Sequence, residues 1–411
     1  MSQRQWKMLD VVKRVKGGLL TNAEGAKIAG VSMRQFRRIR RRVAKLGKKA
    51  VIHGNRGRQP INRLSDESRA KVVELRRTKY VGFNDQHFAE KLAKDEKLVV
   101  SRPSLQRILR KAGVVAEQKR RPRKHRRRRE RKAQEGLMLL WDGSRHDWLE
   151  ERGPWLCLVG AIDDATGQVM PGARFALQET SEAYLHTLRA IVGGKGVPHS
   201  IYQDRHSALK RNDDNWTLEE ELRGQQDLTQ VGRAMEMLGI EPIFALSPQA
   251  KGRVERLWRT MQDRLCSELR LAGAKTMEEA NEVLKRFVEE FNERFAVAAK
   301  DAEPAWLSLK VDADEACAFV YEATVGNDNA VRLEGEVIDI PPGPKERSYA
   351  KARVQVRQLL DASWRVYHRG AVIATKSASG LSELRPRGRK KRSAASRAFR
   401  KAVQSIAVSL P

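Results

Sequence analysis

The chain has 411 residues, 40% of them hydrophobic, enough for roughly two to four domains with ordinary cores. Its 81 Lys and Arg against 51 Asp and Glu leave a formal charge of +30, a surplus that attracts polyanions by releasing their counterions and so names a partner class without naming a reaction. No apolar run reaches the roughly 20 residues that span a bilayer, and the first residues lack the apolar stretch of a signal peptide. Cys157, Cys266 and Cys317 are too widely spaced for a disulfide framework or a CxxC zinc site and read as buried free thiols. No membrane partner and a reducing cytoplasm are therefore expected.

Residues 1–52 read as a first DNA-binding domain. Trp6, Met8, Leu9, Val12 and Val15 fall at the spacings of an amphipathic helix, which Gly17 and Gly18 end. In LTNAEGAKIAGVSMRQFRRIRRRV, Thr21 or Asn22 caps a short helix carrying Ala26, Ile28 and Ala29. Gly30 makes the turn, Ser32 caps a second helix, and Phe36, Ile39 and Val43 face inward. A Gly turn between two short helices, the second rich in Arg, is the helix-turn-helix pattern. Its outward residues Arg34, Gln35, Arg38 and Arg41 suit base edges and phosphates.

HGNRGRQPIN reads as a linker, and residues 63–116 predict a second DNA-binding unit of helix-turn-helix or winged-helix-like design. Its third helix has Ser101 as cap, Pro103 in the first turn, an apolar stripe of Leu105, Ile108 and Leu109, and Arg107 toward DNA. Residues 117–134, with the block KRRPRKHRRRRERK, form an extended basic linker that can track phosphates.

From residue 135 the periodicity changes. GLMLLWDGS, WLCLVGAIDDATG and QVMPGARFAL read as a three-stranded meander. A helix over 181–196 leads to a fourth strand, VPHSIYQD, and a polar stretch at 207–227 reads as an irregular insertion. Helix 228–239, strand IEPIFAL, a long helix beginning near Ser247 and a helix over 277–295 complete the region. Three strands followed by alternating α and β describe an RNase H-like α/β layer over 135–310. Residues 325–380 alternate like strands and predict a small C-terminal β-barrel, and 385–411 is a basic tail. The expected class is thus a multidomain α/β protein with N-terminal all-α units.

Asp142 closes the first predicted strand, Asp204 closes the fourth, and Glu255 lies in the long helix. Neighbouring strand ends can set two carboxylates side by side, and a helix packed across them can add a third. Such a cluster resists joint ionisation without a cation. Two Mg²⁺ ions about 3.5–4 Å apart, for which Mn²⁺ can substitute, would satisfy these hard oxygen ligands. Asp163 and Asp164, in a DDATG turn, are assigned instead to local backbone hydrogen bonds. Trp141, Trp148, Trp155 and Trp258 read as packing residues, and His146 and His206 as bystanders or phosphate contacts.

The segments WDGSRHDWLEERG, AIDDATG, YQDRHS and PQAKGRVERLWRTMQDRL resemble the core of the DDE transposase/integrase superfamily, specifically the ISNCY-type insertion-sequence transposases, with KGRVER the most specific part. The resemblance implies that Asp142, Asp204 and Glu255 are the catalytic metal ligands. It further implies that water attacks the phosphodiester at an element end, and that the freed 3′-hydroxyl then attacks target DNA. Double-stranded DNA, as terminal repeats and target, is the implied partner, with at least a dimer holding two ends on the bacterial nucleoid. Arg259 and Gln262, at i+4 and i+7, share the face of Glu255. Arg259 can hold a phosphate there or pair with a core acid, and Lys251 and Arg253 can also meet DNA.

Two other readings remain open from sequence. A sequence-specific DNA-binding regulator with an inactive core gains nothing from three clustered carboxylates. A structure-specific nuclease needs neither two DNA-reading units nor a C-terminal domain.

Overall fold

A computed structural model of the chain describes residues 1–52, 63–116, 130–211, 216–245, 254–381 and 383–384, with the backbone alone for 254 and 255. The basic block at 117–129 and the tail at 385–411 lie outside the described residues. Two compact units divide the chain, Met1–Val73 and Glu74–Pro411.

The first unit is built on α1 (Gln3–Lys16), α2 (Asn22–Ala29) and α3 (Met33–Leu46). Thr21 and Glu24 form a reciprocal capping box at the start of α2, and Gly30 ends it at φ 64°, a left-handed conformation that favours glycine. Ser32 caps α3 by accepting from the Gln35 N–H at 3.2 Å. Val11, Val12, Val15, Ala26 and the fully buried Phe36 make the core. Two residues depart from the amphipathic reading. Ile28 is exposed, and Trp6, in the first turn of α1, is 53% exposed, with Lys48 Nζ 5.9 Å from its ring centroid.

Helix α4 (Asp66–Arg77) crosses the boundary between the units. In the second unit α5 (Asp85–Lys94) and α6 (Arg102–Lys111) follow, with Phe88, Leu92, Leu105 and Leu109 buried and Ile108 only half-buried.

The central sheet comprises β1 (Leu139–His146), β2 (Leu156–Asp163), β3 (Arg174–Ala176), β4 (Ser200–Gln203) and β5 (Glu241–Phe244), in the order β3-β2-β1-β4-β5. The first three strands are antiparallel, whereas β4 runs parallel to β1 and β5 parallel to β4. Both faces are covered, so the strands alternate between two cores instead of between core and water. Leu139, Trp141, Cys157 and Val159 pack toward α7 (Ser181–Gly194) and α9 (Gln230–Leu238). Leu140, Leu156 and Leu158 pack toward α10 (Val254–Leu271) and α11 (Met277–Phe295). All three cysteines are buried and free.

The stretch 207–227 is not irregular throughout. It contains α8 (Leu218–Arg223), opened by a capping box between Thr217 and Glu220, while 212–215 lie outside the described residues. Glu220 is fully buried. Its carboxylate accepts from the Thr217 N–H at 2.6 Å and the Asp227 N–H at 3.0 Å, and pairs with Arg211. The loop is thereby tied around one carboxylate.

After α12 (Ala313–Ala316) come β6 (Phe319–Thr324), β7 (Ala330–Leu333), β8 (Glu336–Asp339), β9 (Arg353–Gln358), β10 (Trp364–His368) and β11 (Ala371–Lys376). The expected barrel does not close. β11-β10-β9-β6 form one sheet, with β6 and β11 as unjoined edges, and β7–β8 is a separate hairpin. Val331 and Ile338 of the hairpin share a core with Val354, Val356, Trp364 and Val366 of the sheet. A second layer thus buries the inner face, and edge-to-edge pairing is not required. Among the described residues no helix is long and apolar enough to cross a membrane.

Candidate active site

Strand β1 continues past Asp142 to His146, so Asp142 sits within the strand and does not close it. Pairing with β2 persists along the whole of β1, but pairing with β4 is confined to Leu139↔Ile201 and Leu140↔Tyr202. Carried two residues further, that register sets Asp142 opposite Asp204, which directly follows β4. Side chains alternate across a strand, so within β1 Asp142 shares the face of Leu140, which with Tyr202 of β4 lies on the α10 side of the sheet. Both aspartates are half-buried. The Asp204 carboxylate accepts from the His206 N–H at 2.9 Å, which fixes the turn after β4.

On the opposite face, directly behind these two positions, Trp141 Nε1 donates to Gln203 Oε1 at 2.8 Å, and both residues are buried. The Trp141 ring lies 4.9 Å from that of Tyr184 on α7, and the Tyr184 hydroxyl donates to Glu179 Oε1 at 2.6 Å. The same Glu179 oxygen is 3.5 Å from His206 Nδ1. Burial, then the charges of Glu179, Asp142 and Asp204, raise the Tyr184 pKa well above its ordinary value. The Cys157 thiol is pushed up to about 12, first by burial and then by Glu179 and Asp142, so it remains a neutral packing group. Gln203, Tyr184 and Glu179 have no counterpart in the sequence reading. Gly143 beside Asp142 was the available signal, since a Cβ there would overlap the Glu179 carboxylate.

Glu255 falls in the first turn of α10; its side chain, like Lys251 and Arg253, lies outside the described residues. Among the described residues no group of three His, Cys, Asp or Glu side chains is gathered closely enough to hold a metal ion. Gln262 Nε2 donates to Ser144 Oγ at 3.2 Å and ties α10 to β1. Further along, α10 is bound to α5 by charged groups. Arg264 makes a two-pronged contact with Glu90 at 2.7 and 3.3 Å, Glu268 takes His87 at 2.7 Å and Lys91 at 2.8 Å, and Asn84 donates to Asp263. Arg259 is exposed.

Asp163 and Asp164 act as structural acids. Asp163 accepts from Thr166 N–H at 2.8 Å, Thr166 Oγ1 at 2.9 Å and Gly136 N–H at 3.0 Å, and Asp164 accepts from Lys132 N–H at 2.8 Å. Trp141, Trp148 and Trp258 are buried, but Trp155 is 57% exposed, which corrects its reading as a packing residue. Trp155 precedes β2 and so sits outside the layer that buries the others. Arg34, Gln35, Arg38 and Arg41 are exposed along α3. Arg107 is exposed on α6, with its guanidinium turned back to Pro103 O and Ser104 Oγ, each at 3.2 Å.

Residues 9–70 match the winged helix-turn-helix family model. A protein of Sinorhizobium fredii named as a transposase, y4bF, is 37% identical over 297 residues, covering 72% of this chain and 63% of its own length. The transposase for insertion sequence IS1202 of Streptococcus pneumoniae is 31% identical over 327 residues, covering 71% of this chain and 68% of its own. The chain belongs to the DDE transposase family. It spans a little under two thirds of the Sinorhizobium relative. Among solved structures, the simian T-cell lymphotropic virus intasome in complex with PP2A regulatory subunit B56 gamma is similar at 14% identity and a TM-score of 0.31, over 76% of this chain and 100% of that one. The HTLV-2 integrase catalytic core domain in complex with magnesium is similar at 16% identity and a TM-score of 0.27, over 41% and 94%. Scores of this size assign no fold by themselves.

Proposed function

We propose that the protein is a DNA transposase that binds the terminal inverted repeats of an insertion sequence, cleaves the phosphodiester at the element end and transfers the freed 3′-hydroxyl to target DNA. The observation that carries this reading is the β1/β4 register, which, carried two residues past its last pair, sets Asp142 opposite Asp204, with Leu140 and Tyr202 on the face covered by α10. Two neighbouring carboxylates favour a hard divalent cation. Asp142 and Asp204 would hold Mg²⁺, with Glu255 as the third ligand. When bound, the metal supplies activation of the attacking oxygen and stabilisation of the leaving one. The chain's remaining task is to fix the scissile phosphate against those carboxylates, and Arg259 on α10, with Lys251 and Arg253 ahead of it, would contact the backbone. Arg34, Gln35, Arg38 and Arg41 on α3 and Arg107 on α6 would contact DNA. Pairing of two element ends calls for at least a dimer on DNA.

The test is cleavage of a labelled duplex carrying the element's terminal sequence, with Mg²⁺, by wild type and Asp142→Asn. Nicking at the element boundary by wild type alone is expected, with both proteins binding the end equally. Tight binding without nicking by wild type would favour a DNA-binding regulator.

A further inference from the structure

Glu179 lies in the turn between β3 and α7, and Tyr184 and Trp141, to which it connects, pack on the face of the sheet opposite Leu140 and Tyr202. From there it is the end of a contact chain that passes behind both aspartates. Its carboxylate accepts from Tyr184, the Tyr184 ring packs on Trp141, and Trp141 donates to Gln203. Trp141 immediately precedes Asp142, and Gln203 immediately precedes Asp204. A second arm runs from the same carboxylate to His206, whose N–H holds Asp204. The absence of a Cβ at Gly143 is what lets the carboxylate lie against β1 beside Asp142.

We propose that Glu179 is a positioning residue for the carboxylate centre, setting the spacing of Asp142 and Asp204 from behind the sheet through the hydrogen bond it accepts from Tyr184. The proposal rests on the metal-centre reading above. Tyr184 is fully buried, so its hydroxyl needs an acceptor, and Glu179 supplies it. Groups that orient ligands from behind change metal affinity when removed, by about tenfold or more, without touching the metal. The β1/β4 ladder ends at Leu140↔Tyr202, and at the next position Trp141 and Gln203 join the two strands through their side chains.

The experiment is Mn²⁺ binding to the full-length protein by calorimetry, with Mn²⁺ alone as the probe, for wild type, Asp142→Asn, Glu179→Gln, Glu179→Ala and Tyr184→Phe. Glu179→Gln keeps an accepting oxygen and is expected to bind as wild type does. Glu179→Ala and Tyr184→Phe both break the bond and are expected to weaken binding about tenfold. Tyr184→Phe is the safer of the two, because it removes the donor without leaving a buried hydroxyl unpaired. Unchanged affinity in Tyr184→Phe would overturn the proposal, as would equal weakening by Glu179→Gln and Glu179→Ala, which would mark a charge effect in place of positioning. Asp142→Asn binding as tightly as wild type would instead remove the metal-centre reading, and the positioning role with it.

Discussion

Replacing Trp141 with Phe cuts the side-chain link between β1 and β4 at one atom. The indole N–H is the donor to Gln203 Oε1 at 2.8 Å, and Gln203 is 1% exposed, so water does not replace it. An orphaned buried acceptor costs about 1–3 kcal/mol. The smaller ring leaves a gap against Tyr184 that adds on the order of 1 kcal/mol. The expected loss is therefore about 2–4 kcal/mol. Gln203→Leu orphans the indole N–H instead and should cost a similar 1–3 kcal/mol, roughly. The double variant removes both polar partners together and should cost less than the sum by about 1–2 kcal/mol. Hydrogen-exchange protection of the β1 and β4 amides in the full chain measures all four states of this cycle. Additivity to within about 0.5 kcal/mol would show that the two residues do not support one another, and the account of how Asp142 is kept beside Asp204 would fail.

The loop at 207–227 should be acid-sensitive. Burial alone would raise Glu220, but the N–H groups of Asp227 and Thr217 and the charge of Arg211 outweigh it and bring its pKa to about 2. A carboxylate held below its ordinary 4.5 stabilises the fold fully above that value and loses the contribution as pH falls toward 2. Amide protection over 216–227 should decline across that window in wild type and show no such step in Glu220→Gln; a pH-independent wild type would contradict this. For the first unit, Arg38→Ala and Arg41→Ala should each lower end-DNA affinity and reduce the magnitude of the salt slope by about 1 if each meets a phosphate. A filter-binding salt titration reads this directly, and an unchanged slope would place those guanidinium groups away from the DNA.

Much of the architecture was legible because its signals are local. Thr21, Gly30 and Ser32 announce a turn between helices through caps and a left-handed glycine. The continuous apolar run LCLVGAI marks β2, and the adjacency of the first three strands followed from such runs separated by turns. Barrel closure was not legible, since it depends on whether β6 and β11 pair, a relation between edges that no local pattern records. Helix α8 did carry a signal, the Thr217/Glu220 capping box, but at six residues within polar sequence it had no apolar stripe to support it. Asp142 and Asp204 were found as strand-associated acids. Glu179 escaped because it occupies a turn and acts on residues distant in sequence, Tyr184 excepted.

The charged joint between α5 and α10 makes α10 a lever. Its polar anchors run from Gln262 to Arg270, whereas Glu255 stands seven to fifteen residues earlier, roughly 10 to 22 Å along the axis at 1.5 Å per residue. A slight pivot at the anchored end is therefore magnified at the end that carries Glu255. Under the proposed function, changes on α5 acquire a mechanical route to Glu255, set by how stiffly Glu90 and His87 grip the far end of the rod.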